Sequence, residues 1–164
     1  MLQSHIDGIC LEGFSEPFTI AELRRTHYGG IPNSPGVYLI LQASDTAPRF
    51  LAMSTGGWFK RKDPGYPPEV VRENWIKGAR VMYVGMTRAR KGLRGRLRQF
   101  FDFGSGMAIG HRGGRLLWHL EGSENLFVRW RTCAAEEAYA NETTAIASFK
   151  ALYDGRRPYA NMAK

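Results

Sequence analysis

The sequence predicts a mixed α+β domain built around one small sheet. Three observations carry that prediction. Short β-branched and aromatic runs bounded by turn residues recur at 36–41, 81–84 and 126–131. Longer stretches at 92–103 and 134–154 repeat apolar residues at helical spacing. A long interval rich in Gly and Pro separates the first two strands. At 164 residues with 43% hydrophobic content, the chain is long enough for one domain with its own core.

Residues 1–34 read as an N-terminal extension and 35–164 as the main domain. In the extension, 18–25 (Phe-Thr-Ile-Ala-Glu-Leu-Arg-Arg) predicts a short helix with Thr19 as N-cap. Gly29, Gly30, Pro32, Asn33, Ser34 and Pro35 mark a loop. The run 36–41 (Gly-Val-Tyr-Leu-Ile-Leu) is the first strand. An insertion follows over about 46–79, punctuated by Ser54, Gly56, Gly57, Asp63, Pro64, Gly65, Pro67 and Pro68, with a brief helix over 69–76. Connections in compact domains are usually a few residues long, so this length marks a functional arm or a loose loop. Trp58, Phe59, Lys60, Arg61 and Lys62 mix aromatic rings with cations. The mixture suits a nucleic-acid arm, with a small satellite core as the equal alternative. The second strand is 81–84, closed by Gly85, and the third is 126–131.

Each of the two main helices carries one charge where its stripe calls for an apolar residue. In 92–103 the stripe is Leu93, Leu97, Phe100 and Phe101, and Arg96 falls on the same face. In 134–154 the stripe is Ala138, Tyr139, Ala145, Ile146, Phe149 and Leu152, and Glu142 lies four residues from both Ala138 and Ile146. A buried charge is costly unless it is paired, hydrogen-bonded or metal-bound. An inward Arg and an inward Glu therefore point to a polar site sunk into the domain, or to a structural ion pair between them.

The formal charge of +8 is concentrated. Residues 77–115 hold ten Lys/Arg against Asp102 alone, a net +9 that leaves −1 for the rest. Arg forks match phosphate oxygens bidentately. The segment reads as a phosphate-backbone surface, against the alternative of a solvated basic face. The longest apolar run, 37–41, cannot span a bilayer, and no basic-then-apolar leader opens the chain. Cys10 and Cys133 have no CxxC spacing, so no disulfide framework or cysteine zinc site is expected. A cytoplasmic protein that does not engage membranes is the expectation.

The order Gly36-Val37-Tyr38, Tyr83-Val84-Gly85, Arg96, Glu142 and Asn161 in Pro158-Tyr159-Ala160-Asn161 resembles the GIY-YIG nuclease family over residues 35–161. The resemblance implies a three-stranded, mainly antiparallel sheet flanked by helices, here with the first inter-strand interval enlarged. It implies a metal-dependent endonuclease that hydrolyses DNA phosphodiesters with one divalent cation. Glu142 would be the sole protein ligand of that Mg²⁺ or Mn²⁺, a hard cation that keeps several waters. Arg96 would neutralise charge on the scissile phosphate. Tyr38 or Tyr83 would orient or deprotonate the attacking water; Tyr38 is preferred, and packed strand aromatics are the alternative. Asn161 would support the site by side-chain hydrogen bonds, and Gly36 and Gly85 would allow tight turns near the phosphate. Arg88, Arg90, Lys91, Arg94, Arg98, Arg112 and Arg115 would hold the DNA backbone.

Two positions depart from the family pattern. Phe100 stands one turn after Arg96, where many members have His or Tyr, and Met86 follows Gly85, where many have Lys. His111, in the Gly-rich basic turn 110–115, is the candidate replacement proton carrier. His119 reads as structural. One active site cuts one strand, so duplex cleavage would need a homodimer or sequential nicks. The competing reading is a nucleic-acid-binding module of the same fold without turnover, which Phe100 and Met86 favour.

Overall fold

The computed structural model describes residues 4–162. The chain begins with a hairpin of β1 (His5–Ile6) and β2 (Ile9–Cys10), joined by Asp7-Gly8, both with positive φ. β3 (Phe18–Thr19) leads into α1 (Ile20–Arg25), and β4 (Gly36–Leu41) follows. α2 (Pro68–Asn74) lies in the insertion before β5 (Val81–Thr87). Then come α3 (Gly92–Gly104), two 3₁₀ turns (Arg115–His119 and Ser123–Asn125), β6 (Phe127–Thr132) and α4 (Ala135–Leu152). The architecture is mixed α and β, with a two-stranded and a four-stranded sheet, both antiparallel.

The main sheet has four strands in the order β3-β6-β4-β5, not the three expected. The fourth is β3, which pairs Phe18 with Val128 and Thr19 with Phe127. Thr19 is indeed the N-cap of α1, in a capping box with Glu22. An N-cap residue has extended dihedrals, here φ −74° and ψ 155°. The same residue can therefore cap a helix and pair with a strand. Two residues are too few to show a period of two, so the sequence pattern holds no sign of this strand.

β4 is buried on both faces, as its unbroken apolar run requires. On one face, Val37, Leu39, Leu41, Val81 and Val84 pack under Ala145 and Phe149 of α4 and against Ile6, Ile9 and Leu11 of the hairpin. On the other, Tyr38, Ile40 and Tyr83 pack under Leu93, Leu97, Phe100 and Phe101 of α3 and Trp118 of the first 3₁₀ turn. Ile20, Leu23 and Ile31 join that second core. The segment before residue 35 is thus woven into both layers. Tyr139 and Leu152 are exposed, so the buried stripe of α4 is narrower than its apolar residues suggest: Ala138, Ala145 and Phe149.

Gly36 and Gly85 lie inside strands, and neither makes a turn. Gly85 is the register partner of Tyr38, and a Cβ there would collide with the Tyr38 ring. A Cβ on Gly36 would collide with the Arg131 carbonyl and Leu93. β5 therefore runs three residues past the expected end, because Gly85 serves packing rather than chain reversal.

The insertion is pinned to the body. Phe50 and Tyr159 each meet Trp75 edge-on at 5.3 Å. Backbone bonds run from Leu51 to His119, Thr55 to Trp118 and Gly57 to Phe103. His119 Nε2 accepts from the Tyr66 N–H at 2.9 Å, which leaves Nδ1 to donate to the Leu51 carbonyl at 3.0 Å. Among the described residues, no helix is long and apolar enough to cross a membrane.

Candidate active site

Four elements meet at the α3 end of the sheet. β4 carries Tyr38, β5 carries Tyr83, α3 carries Arg96 and α4 carries Glu142. Tyr38 sits one strand across from Gly85, and Tyr83 two residues earlier on β5, so both phenols emerge on the α3 face with ring centres 6.1 Å apart. Tyr38 is fully buried and Tyr83 is 7% exposed. Burial raises the pKa of both above the usual phenol value. Arg96 opposes that rise at both hydroxyls, and the Glu142 carboxylate adds to it at both. An arginine from one side of the sheet and a glutamate from the other thus act on the same two hydroxyls. Tyr38 Oη and Arg96 Nε are buried without a well-aligned hydrogen bond.

The loop 110–115 closes over this group. Gln99, three residues after Arg96, donates to the Gly110 carbonyl at 2.6 Å and ties the loop to α3. Gly113 comes so close to the Tyr83 hydroxyl that a Cβ would collide with it, and that Cβ would lie 3.5 Å from an Arg96 Nη. His111 stacks on Phe100 at 4.6 Å with planes 14° apart. An imidazole therefore lies directly over the ring that departs from the family pattern. His111 is 7% exposed, and neither ring nitrogen has a well-aligned hydrogen bond, although the Gly113 backbone lies close enough to favour its protonated form slightly. Burial, with Arg96 and Arg115 adding to it, lowers its pKa from 6.5 to about 3. The ring is neutral at physiological pH and carries no spare proton there.

A cleft of about 530 Å³ opens beside the loop, lined by Arg96, Gln99, His111, Arg112 and Arg115 on one wall and by Phe59, Lys60 and Lys62 of the insertion on the other. A second cleft of about 350 Å³ shares Arg96 and Gln99 and adds Met86, Arg88 and Lys91. Arg96 stands on the ridge between them.

The expected phosphate contacts divide into two groups. Arg88, Arg90, Lys91 and Arg112 are exposed. Arg94 instead donates to the carbonyls of Ile31 and Gly29, at 2.7 and 3.2 Å, and secures the loop before β4. Arg98 pairs with Asp102 at 3.7 Å on the solvent side of α3. Arg115 donates to the Asp63 carbonyl and lies over the Tyr66 ring, joining the cleft wall to the insertion. Arg94 and Arg98 are two positions from Arg96 and turn about 160° away from it. The cations around Arg96 come from the loop and the insertion.

Asn161 pairs with the outer edge of β5. Its side chain accepts from the Val84 N–H and donates to the Val84 carbonyl, both at 2.8 Å. Val84 is the residue between Tyr83 and Gly85 of the signature.

Gln99, Gly113, Lys60 and Lys62 were not singled out as site residues from the sequence. Gln99 had a signal: it continues the polar intrusion of Arg96 by one turn on the same face. The two lysines had one as part of the aromatic–cation mixture of a candidate nucleic-acid arm, but their approach to Arg96 had none, because only the folded insertion brings them there. Among the described residues, no three or more His, Cys, Asp and Glu side chains gather to cage a metal. The donor set near Arg96 is one carboxylate with two phenols, which fits a hard cation bound mainly by water and phosphate oxygens. Comparisons with protein-family models, curated proteins and solved structures find no match to this chain.

Proposed function

We propose that the chain is a metal-dependent DNA endonuclease of the GIY-YIG type. One observation supports this above the others: Arg96, which lines a basic cleft, and Glu142, on helices from opposite faces of the sheet, act electrostatically on the same two buried tyrosines. A half-buried arginine kept only for stability needs no cleft. Here the arginine lines two of them.

In this reading a strand lies along the cleft with its scissile phosphate against Arg96. The guanidinium meets charge that grows on the phosphate oxygens as the water–phosphorus bond forms and the phosphorus–oxygen bond breaks. Tyr83, with its hydroxyl beside Gly113 and Arg96, is the phenol nearer the substrate, and Tyr38 is buried behind it. Raised pKa values keep both phenols protonated at neutral pH, so Tyr83 serves as a hydrogen-bond donor that orients water and not as a free base. His111 offers one N–H and one acceptor nitrogen, neither held by a well-aligned hydrogen bond. Glu142 would hold the Mg²⁺ or Mn²⁺, which when bound supplies positive charge to the phosphate and acidifies its water.

The test is nicking of supercoiled plasmid with Mg²⁺, Mn²⁺ or EDTA. Nicking that needs the ion, and that falls at least 100-fold in Glu142→Ala and in Arg96→Ala, is expected. Arg96→Ala should keep most of its DNA affinity, because that contact strengthens in the transition state. DNA binding without nicking would establish the second reading, a binding module. Phe100, Met86 and an imidazole held neutral favour that module.

A further inference from the structure

The far wall of the cleft ends in an unusual turn. Phe59 and Lys62 form an isolated antiparallel bridge, with the Lys62 N–H on the Phe59 carbonyl at 3.0 Å. The two residues between them, Lys60 and Arg61, have φ of 51° and 63°. Positive φ at both central positions is the setting in which Asn and Gly are preferred. The hairpin at the start of this chain obeys the rule with Asp7-Gly8. The insertion puts two long cations there instead, against local backbone preference. His27 and Tyr28 adopt the same pair of signs where Tyr28 packs into the core; what sets the Lys60-Arg61 turn apart is that both of its residues are exposed beside the cleft.

Beside the turn, Trp58 is 57% exposed, whereas Trp118 is fully buried and Trp130 is 8% exposed. A lone exposed aromatic is ordinary on a protein surface, but beside three cations this one also presents a face on which a base can stack. Backbone alternation separates its side chain from that of Phe59. Phe59, Lys60 and Lys62 line the cleft that holds Arg96, and Trp58 lines the next depression, with Met53, Asp63 and Tyr66. The tip of the insertion is therefore a low ridge, with a basic channel on one side, cations on its crest and a bare indole on the other.

We infer that this ridge is a binding site for an unpaired nucleotide, so that the substrate class is DNA with single-stranded character next to the scissile phosphate. The inference rests on the endonuclease reading for the meaning of the cleft. The crest cations hold the backbone as it leaves the cleft, and the indole stacks on the next base. Every base has a π-face for such stacking. Inside a duplex both faces are covered by neighbouring pairs, and the indole would meet only sugar and phosphate. The local charge decides against a protein partner: Lys60, Arg61 and Lys62 stand against Asp63 alone, and the ridge continues a channel that already carries Arg96, Arg112 and Arg115.

The experiment measures binding of the full-length chain in EDTA, by fluorescence anisotropy, to three labelled probes: oligo-dT, a duplex with a single-stranded flap, and a blunt duplex. Trp58→Ala should weaken oligo-dT and flap binding about tenfold or more, with less than a twofold effect on blunt duplex. Trp58→Phe should restore most of the loss. Lys60→Asn with Arg61→Gly suits the turn and removes two charges. It should leave the melting temperature equal or higher, and should flatten the salt dependence of oligo-dT binding by about 1.4 in log–log slope. An equal loss on all three probes, or no loss on any, overturns the inference; the second result is what a protein-docking patch would give. Binding in EDTA is independent of turnover. A Trp58 effect without metal-dependent nicking overturns the endonuclease reading alone. Nicking without a Trp58 effect overturns this inference alone.

Discussion

His111 shows how a single side chain can be costly in one state and useful in another. Its ring is buried against Phe100 with neither nitrogen in a well-aligned hydrogen bond, and burial lowers its pKa from 6.5 to about 3. The unfolded chain takes up a proton at this residue below about pH 6.5, and the folded chain does not until about pH 3. The unfolded state therefore binds more protons across that interval, so stability falls as pH falls through it and is untouched above it. At about 1.4 kcal/mol per pKa unit, the residue should cost on the order of 3 kcal/mol at pH 4 relative to pH 7. Urea unfolding at the two pH values, wild type against His111→Phe, reads this directly. Phe keeps the stack and cannot titrate, so the variant should lose markedly less stability at pH 4 than the wild type. An equal loss in both proteins would show that the ring titrates normally.

At the scale of elements, the site depends on a strand that leaves room for its neighbour. Tyr38 occupies the space over Gly85, its partner across the β4–β5 ladder. Gly85→Ala should therefore lower stability by about 1–3 kcal/mol through overpacking, or several degrees in a thermal melt. The double variant with Tyr38→Ala should be more stable than the sum of the two single losses, because the clash disappears with the ring. Strict additivity would mean that the two residues do not compete for this space.

The same pair shows what the sequence could and could not disclose. β4 was legible residue for residue, since an apolar β-branched run between turn residues admits few other readings. α3 and α4 were legible to within two residues at each end. Arg96 and Glu142, which periodicity places on the apolar faces of their helices, are each half-buried. Gly85 misled, because a glycine after a strand reads as a turn, and only the Tyr38 ring above it shows otherwise. Arg94 and Arg98 were grouped with Arg96 by proximity in sequence, although residues two apart on a helix face away from one another. β3 was too short to carry a pattern. The Asp7-Gly8 hairpin did have a signal, a two-residue turn between Ile6 and Ile9, and it was passed over. Lys60 and Lys62 reach Arg96 only through contacts distant in sequence, which no local period encodes.

On the scale of the whole molecule, charge is the dominant feature. Six cations line the two clefts that share Arg96: Arg88 and Lys91 in one, and Lys60, Lys62, Arg112 and Arg115 in the other. If about six of these meet phosphates, the logarithm of DNA affinity should fall with the logarithm of salt at a slope near −5 for duplex and −4 for single strands. A slope near zero, measured by anisotropy in EDTA between 50 and 200 mM salt, would remove the phosphate surface from the account. Arg94→Ala should leave that slope unchanged, since its guanidinium is spent on the Ile31 and Gly29 carbonyls.

The pairing of Asn161 and Ala160 with β5 also bears on how two copies of the chain could meet. Val84 and Met82 spend their outward backbone groups on those two residues. The opposite border of the sheet is a strand of only two residues. Each margin thus offers a foreign chain only a short ladder to extend, which disfavours edge-to-edge growth. A pair assembled to break both strands of a helix would have to join through helices or loops, and its twofold axis would leave the tyrosine-bearing strands untouched.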